Sequence, residues 1–278
     1  MKARNRVFLA KEALKFYKNA KTVHQIDSPF IFRLANKLFS DENLNPKTLS
    51  IEKLRKELIH SNQTFNRTDF GKGSSIMKNS NKINLLGTFV KNSSISPFYG
   101  RLIHQLVAFI RPQTMLEFGT AAGISTAYLA SGNPDSAIYT LEGDPFLVNL
   151  AKQNFKALGL ENVLIVEGEF ETALASPELN KSPELVYIDG NHHAEAVIKY
   201  IEMIKPTLSN LKVVIIDDIR WSSEMLGAWN SLLHDSTWNV RLDLFRLGIL
   251  IYNTDIKSDF SLPLISKKLK PFHLGLFR

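Results

Sequence analysis

The sequence of 278 residues contains no cysteine. This absence excludes disulfide bonds, thiolate metal sites and a cysteine nucleophile, and it fits a protein of the reducing cytoplasm. No apolar run approaches the roughly 18 residues that a membrane-spanning helix needs. The N-terminal stretch is interrupted by Lys11, Glu12 and Lys15, so it has no apolar core of the length found in a signal peptide. We therefore expect a cytoplasmic protein without a transmembrane segment.

Two familiar nucleotide-binding motifs are also missing. The stretch "GKGSS" at residues 71–75 lacks the spacing of a P-loop, and no apolar strand precedes it. A dinucleotide-binding GxGxxG motif that began at Gly119 would need glycine at positions 121 and 124, where the chain has Ala121 and Ile124. The sequence therefore predicts neither a P-loop nor a bound pyrophosphate at this turn.

Negative charge is scarce at both ends of the chain and abundant in the middle. The net charge of +7 divides into +11 for residues 1–91, −8 for residues 92–256 and +4 for residues 257–278. A uniformly basic nucleic-acid-binding protein does not have this distribution. Nucleic acid, recruited by the basic N-terminal region, remains the less favoured partner.

From about residue 98 the chain alternates between helical patterns and short apolar strands, which predicts an α/β fold with a doubly wound, mostly parallel sheet. Residues 1–60 have helical spacing, with one helix opened by Ser28 and Pro29, and the following residues to 97 are rich in Asn, Ser, Lys and Gly. We expect a basic helical extension or lid with a mobile loop, a central domain and a C-terminal tail, with the boundaries 1–97, 98–256 and 257–278.

Acidic residues follow five successive predicted strands. In an open parallel sheet, ligands bind beyond the carboxyl ends of the strands. Like charges at one rim repel each other, so such a row suits a cationic or hydroxyl-rich ligand, or a metal ion. The residues concerned are Glu117, Glu142, Glu167 with Glu169, Asp189, and Asp217 with Asp218.

Five motifs at these strand ends carry a resemblance to a known family. They are "LEFGTAAG", "YTLEGDP", "VEGEF", "YIDGNHH" and "VVIIDD". With this order and spacing, residues 98–253 resemble a class I S-adenosylmethionine-dependent methyltransferase of the Rossmann-like superfamily. The resemblance implies a seven-stranded sheet with a reversed final hairpin. It does not extend to residues 1–97.

The resemblance implies roles for individual residues in cofactor binding. The loop under the methionine part would hold Gly119, Thr120, Ala121, Gly123 and Ser125. Glu117 would lie beneath this part, either ordering the loop or meeting the ammonium group through water. Glu142 would hold the ribose hydroxyls. Gly168, Glu169 and Phe170 would border the adenine, and Asp189 would lie near the sulfonium and the acceptor.

Asp189, Asp217 and Asp218 resemble the metal-binding acids of catechol-type and macrocin-type O-methyltransferases, which implies a site for Mg²⁺ or Mn²⁺. The chain has Asp218 where the catechol type usually has asparagine. Asp189 and His192 are the expected catalytic residues, with His192 as the free imidazole and His193 turned towards the apolar face. The alternatives are that one aspartate caps the helix near Trp221 and that the two histidines are structural.

These observations predict an O-methyltransferase that acts on a small molecule with S-adenosylmethionine as the methyl donor. A second hypothesis keeps the cofactor and changes the acceptor to RNA or protein, guided by the basic N-terminal region. A third, of another class, is a cofactor-binding protein without turnover. The sequence leaves a homodimer open.

Overall fold

A computed structural model describes residues 3–40, 45–66, 83–170, 182–190, 193–205, 212–253, 256 and 258–270 of the protein. Of the segments predicted above, residues 67–82 of the loop, residues 271–278 of the tail and His192 lie outside this description. No described helix has the length and apolar character required to cross a membrane. The described helices are α1 (Ala3–Asn19), α2 (Pro29–Leu38), α3 (Pro46–Ile59), α4 (Leu86–Ser93), α5 (Pro97–Ile110), α6 (Ile124–Gly132), α7 (Pro145–Ala157), α8 (Ala194–Ile204) and α9 (Ser223–Leu232).

Ten strands are described, and eight of them form one mostly parallel sheet. The order in this sheet is β10-β8-β9-β7-β6-β3-β4-β5, while β1 and β2 form a separate antiparallel pair. The strands are β1 (Thr64–Asn66), β2 (Ile83–Leu85), β3 (Thr114–Phe118), β4 (Ala137–Glu142), β5 (Val163–Glu167), β6 (Leu185–Ile188), β7 (Val213–Ile216), β8 (Val240–Asp243), β9 (Gly248–Ile251) and β10 (Phe260–Pro263). The predicted doubly wound α/β fold is confirmed.

The predicted reversed hairpin is also present. Strand β9 lies between β7 and β8 and runs antiparallel to both. The structure adds an eighth strand to the predicted seven, because β10 pairs in parallel with β8 within the segment expected to be a tail. It lies at the edge of the sheet, where the proline at its end removes no ladder hydrogen bond.

Several helices begin at a polar N-cap residue that is followed by proline. Asn45 caps α3 and Asp144 caps α7, and each side chain accepts hydrogen bonds from backbone N–H groups of the first turn. Ser28 caps α2 in the same way, ahead of Pro29, as predicted. These caps fix where the helices leave the preceding loops.

The chain forms two compact units, Met1–Phe39 with His192–Arg278 and Ser40–Asn191. The second unit contains strands β3 to β6 with helices α5, α6 and α7, and β3 is buried along its whole length. In the first unit, the segment after α1 pairs with the C-terminal part of the chain, where Lys21 forms a β-bridge with Leu264. The predicted division into an extension, a central domain and a tail stays a prediction.

The buried face of α1 differs from the expected one. The sequence pattern predicts a packed face that includes Val7, Leu14 and Tyr17, but these side chains are 57%, 74% and 45% exposed. Phe16 and Ala20 are buried instead, against Ile265. The helix carries two apolar stripes, and the one that meets the C-terminal segment of the same unit is the one that packs.

Candidate functional site

The loop between β3 and α6 has an unusual backbone. Gly119, Ala121 and Gly123 all have positive φ angles, of 99°, 47° and 77°. A Cβ atom on Gly119 would lie 3.1 Å from the backbone of Gly190, and one on Gly123 would lie 2.5 Å from the ring of Phe155. The fold itself therefore requires both glycines, because only glycine adopts these angles and contacts without strain.

Glu117 lies at the end of β3, below this loop. The fold does not explain why a carboxylate is buried at this position. The carboxylate of Glu117 is fully buried, and Oε2 accepts hydrogen bonds from the hydroxyls of Thr126 at 2.5 Å and Thr140 at 2.6 Å. Its other oxygen, Oε1, has no hydrogen-bond partner in the described part of the chain. A buried carboxylate oxygen without a donor is costly, so this atom fits a cationic or N–H-bearing ligand.

Burial raises the pKa of Glu117 from 4.5 to about 7. Three neighbouring hydroxyls, those of Ser125, Thr126 and Thr140, oppose this rise, and the charge of Glu142 adds to it. Thr120 completes the chain of hydroxyls, since its Oγ1 lies 2.7 Å from that of Thr140, which already donates to Glu117. Thr120 therefore donates to Thr140. Thr126 and Thr140 were not among the predicted site residues.

Glu142, at the end of β4, joins two loops through its carboxylate. Oε2 accepts a hydrogen bond from the backbone N–H of Ala121 at 2.8 Å, and Oε1 accepts one from that of Asp144 at 3.0 Å. Burial raises the pKa of Glu142, and these backbone hydrogen bonds oppose the rise. The residue is not a merely solvated strand end. Each oxygen keeps a second acceptor position, which suits a pair of ligand hydroxyls.

The residues after β5 and β6 form a second part of the same unit. Phe170 is half-buried and lies edge-on to Phe118, with ring centroids 5.7 Å apart. Gly190 lies against it, and a Cβ atom on this glycine would be 2.3 Å from the Phe170 ring. Gly168 has a φ of 142°, and its N–H donates to the carbonyl of Glu142. Glu169 is exposed, which leaves its side chain accessible to a ligand.

Of the two predicted catalytic residues, the structure describes Asp189 and not His192. Asp189 is half-buried at the end of β6, and its N–H donates to the carbonyl of Phe118. His192 lies outside the described residues, so its role stays a prediction. The expectation that His193 turns towards an apolar face is wrong, because His193 is exposed. It is the N-cap of α8, and a residue ahead of the first turn does not follow the helical spacing.

Asp217 and Asp218, at the end of β7, have a partner that the sequence did not reveal. Arg246 donates two hydrogen bonds to Asp217, from Nε to Oδ1 at 2.6 Å and from Nη2 to Oδ2 at 2.8 Å. Its Nε also lies 3.1 Å from Oδ1 of Asp218. Burial and the charge of Asp217 raise the pKa of Asp218 to about 7, and Arg246 opposes the rise. The single positive charge of Arg246 thus balances one of the two carboxylates.

The alternative in which one of these aspartates caps the next helix is wrong for the described helix α9. Its N-cap is Ser222, whose hydroxyl accepts a hydrogen bond from the backbone N–H of Met225 at 3.2 Å. Asp218 has a φ of 53°, which is uncommon for a residue with a side chain. Strain of this kind is concentrated at functional sites.

Residues 116–219 match the family model described as a methyltransferase domain. The chain is 30% identical over 129 residues to a catechol O-methyltransferase of Mycobacterium tuberculosis, covering 45% of this chain and 57% of that one. It is 32% identical over 79 residues to the release factor glutamine methyltransferase of Escherichia coli, covering 28% of each. The chain thus spans about half the length of the curated O-methyltransferase it matches.

Solved methyltransferase structures have a fold similar to that of this chain. An SAH-bound methyltransferase of Podospora anserina superposes with a TM-score of 0.54 at 15% identity, over 82% of this chain and 97% of that one. The matched family domain begins at the strand of Glu117 and ends just after Asp217 and Asp218, so it spans the strand-end acids from β3 to β7. Residues 116–219 are therefore similar to a methyltransferase domain, and the fold of the chain is that of the class I S-adenosylmethionine-dependent methyltransferases.

Proposed function

We propose that the protein transfers a methyl group from S-adenosylmethionine to a hydroxyl of a small molecule. The observation that supports the cofactor is the buried Oε1 of Glu117, which lies under the strained loop and has no hydrogen-bond partner in the described ranges. The similarity to a catechol O-methyltransferase supports a hydroxyl acceptor.

The residues of the second unit fit the cofactor chemically. When bound, S-adenosylmethionine supplies an activated methyl group on a positively charged sulfur. We assign Glu117 to the cationic methionine end, because its Oε1 has no hydrogen-bond donor among the residues that the structure describes. Glu142 would hold the ribose hydroxyls through its remaining acceptor positions. Gly168, Glu169 and Phe170 would border the adenine.

Deprotonation of the acceptor is assigned to Asp189 and His192. Methyl transfer is a displacement in which the enzyme mainly positions the two reactants and exposes the attacking oxygen. Asp189 follows β6, and His192 is three residues further on. The predicted joining of Asp189 with Asp217 and Asp218 in a Mg²⁺ or Mn²⁺ site stays a prediction. The proposed transfer uses no metal ion, because the guanidinium of Arg246 already donates a hydrogen bond to each oxygen of Asp217.

Replacement of Glu142 tests the cofactor assignment. Glu142→Ala should weaken S-adenosylmethionine binding by about 1–3 kcal/mol, since two hydrogen bonds to a charged acceptor are lost. Isothermal calorimetry on the purified full chain measures this change. Glu161→Ala, at an exposed position before β5, serves as the control and should leave the affinity unchanged. No heat of binding with either S-adenosylmethionine or its demethylated product in the unaltered protein would refute the proposal.

The acceptor is tested by turnover with methyl-labelled cofactor. Catechol and related diols are the first probes, and transfer to them supports the small-molecule assignment. A protein acceptor is the second candidate, because the chain is 32% identical over 79 residues to a release factor glutamine methyltransferase. Label that is found only in protein or RNA would favour the second hypothesis. Cofactor binding without any transfer would favour a binding protein.

A further inference from the structure

Asp217 and Arg246 form a bidentate ion pair on the buried side of the cluster that they make with Asp218. Both oxygens of Asp217 receive hydrogen bonds from the same guanidinium, in the two-pronged geometry that arginine prefers with carboxylates. The Asp217 side chain has no exposed surface, and that of Arg246 is 25% exposed. Charge-assisted pairs of this kind, with one partner fully desolvated, are broken only at a high cost.

The backbone around Arg246 is held by a second ion pair. Arg220 donates to both carboxylate oxygens of Asp243, at 2.8 and 2.6 Å, and to the carbonyl of Phe245 at 2.7 Å. Oδ1 of Asp243 also accepts the N–H of Phe245, whose φ is 72°. The turn that carries Arg246 is therefore fixed from both sides, so its guanidinium is preorganised against Asp217.

We propose that Arg246 replaces a divalent cation as the positive charge beside Asp217 and Asp218, so that this methyltransferase needs no metal ion. The inference rests on the proposed function, and it departs from the Mg²⁺ or Mn²⁺ site implied by the sequence motifs. Arg246 is a positioning residue, because it acts through the two aspartates.

The positive charge of Arg246 opposes the binding of a metal ion to Asp217. Carboxylate oxygens are suitable ligands for Mg²⁺ and Mn²⁺, so ligand type is not the obstacle. The obstacle is the guanidinium, which lies within 3.1 Å of oxygens on both aspartates and would repel a divalent ion. Removal of the arginine charge should therefore create the metal site that the motifs predict.

The experiment is a Mn²⁺ titration of the purified full chain without cofactor, followed by electron paramagnetic resonance. The unaltered protein should show only the weak background binding that Asp217→Asn also shows. Arg246→Ala should gain one Mn²⁺ site with at least about tenfold higher affinity. Addition of Asp217→Asn to Arg246→Ala should abolish that site. Arg246→Lys, which keeps the charge, should gain none.

Two further variants make the test specific. Arg101→Ala is the matched control, since Arg101 pairs with Glu52 elsewhere and its loss should not create a metal site. Arg246→Gln, which keeps the length without the charge, replaces Arg246→Ala if circular dichroism shows that the latter does not fold.

The proposal is overturned if the unaltered protein binds one Mn²⁺ tightly and Asp217→Asn abolishes that binding. It is also overturned if neither Arg246→Ala nor Arg246→Gln gains a site while folded. Neither outcome concerns the cofactor, whose binding is measured separately by calorimetry. Failure of the inference is therefore distinguishable from failure of the proposed function.

Discussion

Glu117→Gln is expected to remove most of the cofactor affinity and, at the same time, to flatten the dependence of folding stability on pH. The first effect follows because the amide lacks the negative charge that a cationic ligand group would meet at Oε1. Loss of a hydrogen bond to a charged group costs about 1.5–3 kcal/mol, or roughly 10- to 100-fold in affinity.

The second effect follows from the raised pKa of Glu117, which is about 7 in the folded protein against an ordinary value of 4.5. A carboxyl whose pKa is raised by folding favours the folded state most strongly below pH 4.5. This contribution is lost as pH rises from 4.5 through 7, because the unfolded chain has then released the proton that the buried group still holds. The difference in pKa corresponds to about 3 kcal/mol between pH 4.5 and pH 8.

Urea denaturation at pH 5 and pH 8 measures this contribution as a free energy of unfolding. The unaltered protein should lose stability between the two values, and Glu117→Gln should lose about 2.5 kcal/mol less. Glu142 and Asp218 titrate in both proteins, so the difference reports Glu117 together with its smaller charge interaction with Glu142. Glu161→Gln, at an exposed position, should behave like the unaltered protein. Equal pH dependence in Glu117→Gln would contradict a raised pKa at this site.

The cofactor side of the site could be predicted from sequence because its residues lie close together along the chain. Glu117 and the glycines of its loop follow one apolar strand, and Glu142 follows the next, so the order of strands places them at one rim. The contacts among these residues could not be predicted. Thr140 meets Glu117 because β3 and β4 pair in the register that sets Thr140 opposite Glu117. A single sequence does not specify that register.

Arg246 could not be predicted for a related reason. It lies 29 residues after Asp217, and their contact depends on the pairing of β7 with β9, in which Ile216 faces Gly248. The buried stripe of α1 depends likewise on a distant partner, Ile265, near the other end of the chain. Local periodicity identifies a helix, but the choice between two apolar stripes is made by tertiary packing.

Arg220→Ala is expected to destabilise the fold by about 3–5 kcal/mol, because it leaves the Asp243 carboxylate buried without its partner. The side chains of Arg220 and Asp243 are only 9% and 11% exposed, so the carboxylate that is left behind is poorly solvated. The guanidinium also lies 5.5 Å from the ring centre of Phe16 and 5.1 Å from that of Phe245, which adds packing and cation–π contacts to the loss.

The free energy of unfolding in urea measures this loss, with Arg111→Ala as the control. Arg111 forms an exposed ion pair with Asp135 at 3.9 Å, so its removal should cost less than about 1 kcal/mol. Arg220→Met combined with Asp243→Asn should recover part of the stability, because no buried charge is left unpaired.

The same Arg220→Ala variant should affect the turn that carries Arg246. Arg220 donates to the carbonyl of Phe245, and the turn is closed by the hydrogen bond from the N–H of Leu244 to the carbonyl of Leu247. Amide hydrogen exchange at Leu244 should therefore accelerate in Arg220→Ala and remain unchanged in Arg111→Ala. A stability loss below about 1 kcal/mol together with unchanged exchange would mean that Asp243 alone holds the turn, and that Arg246 is preorganised without help from Arg220.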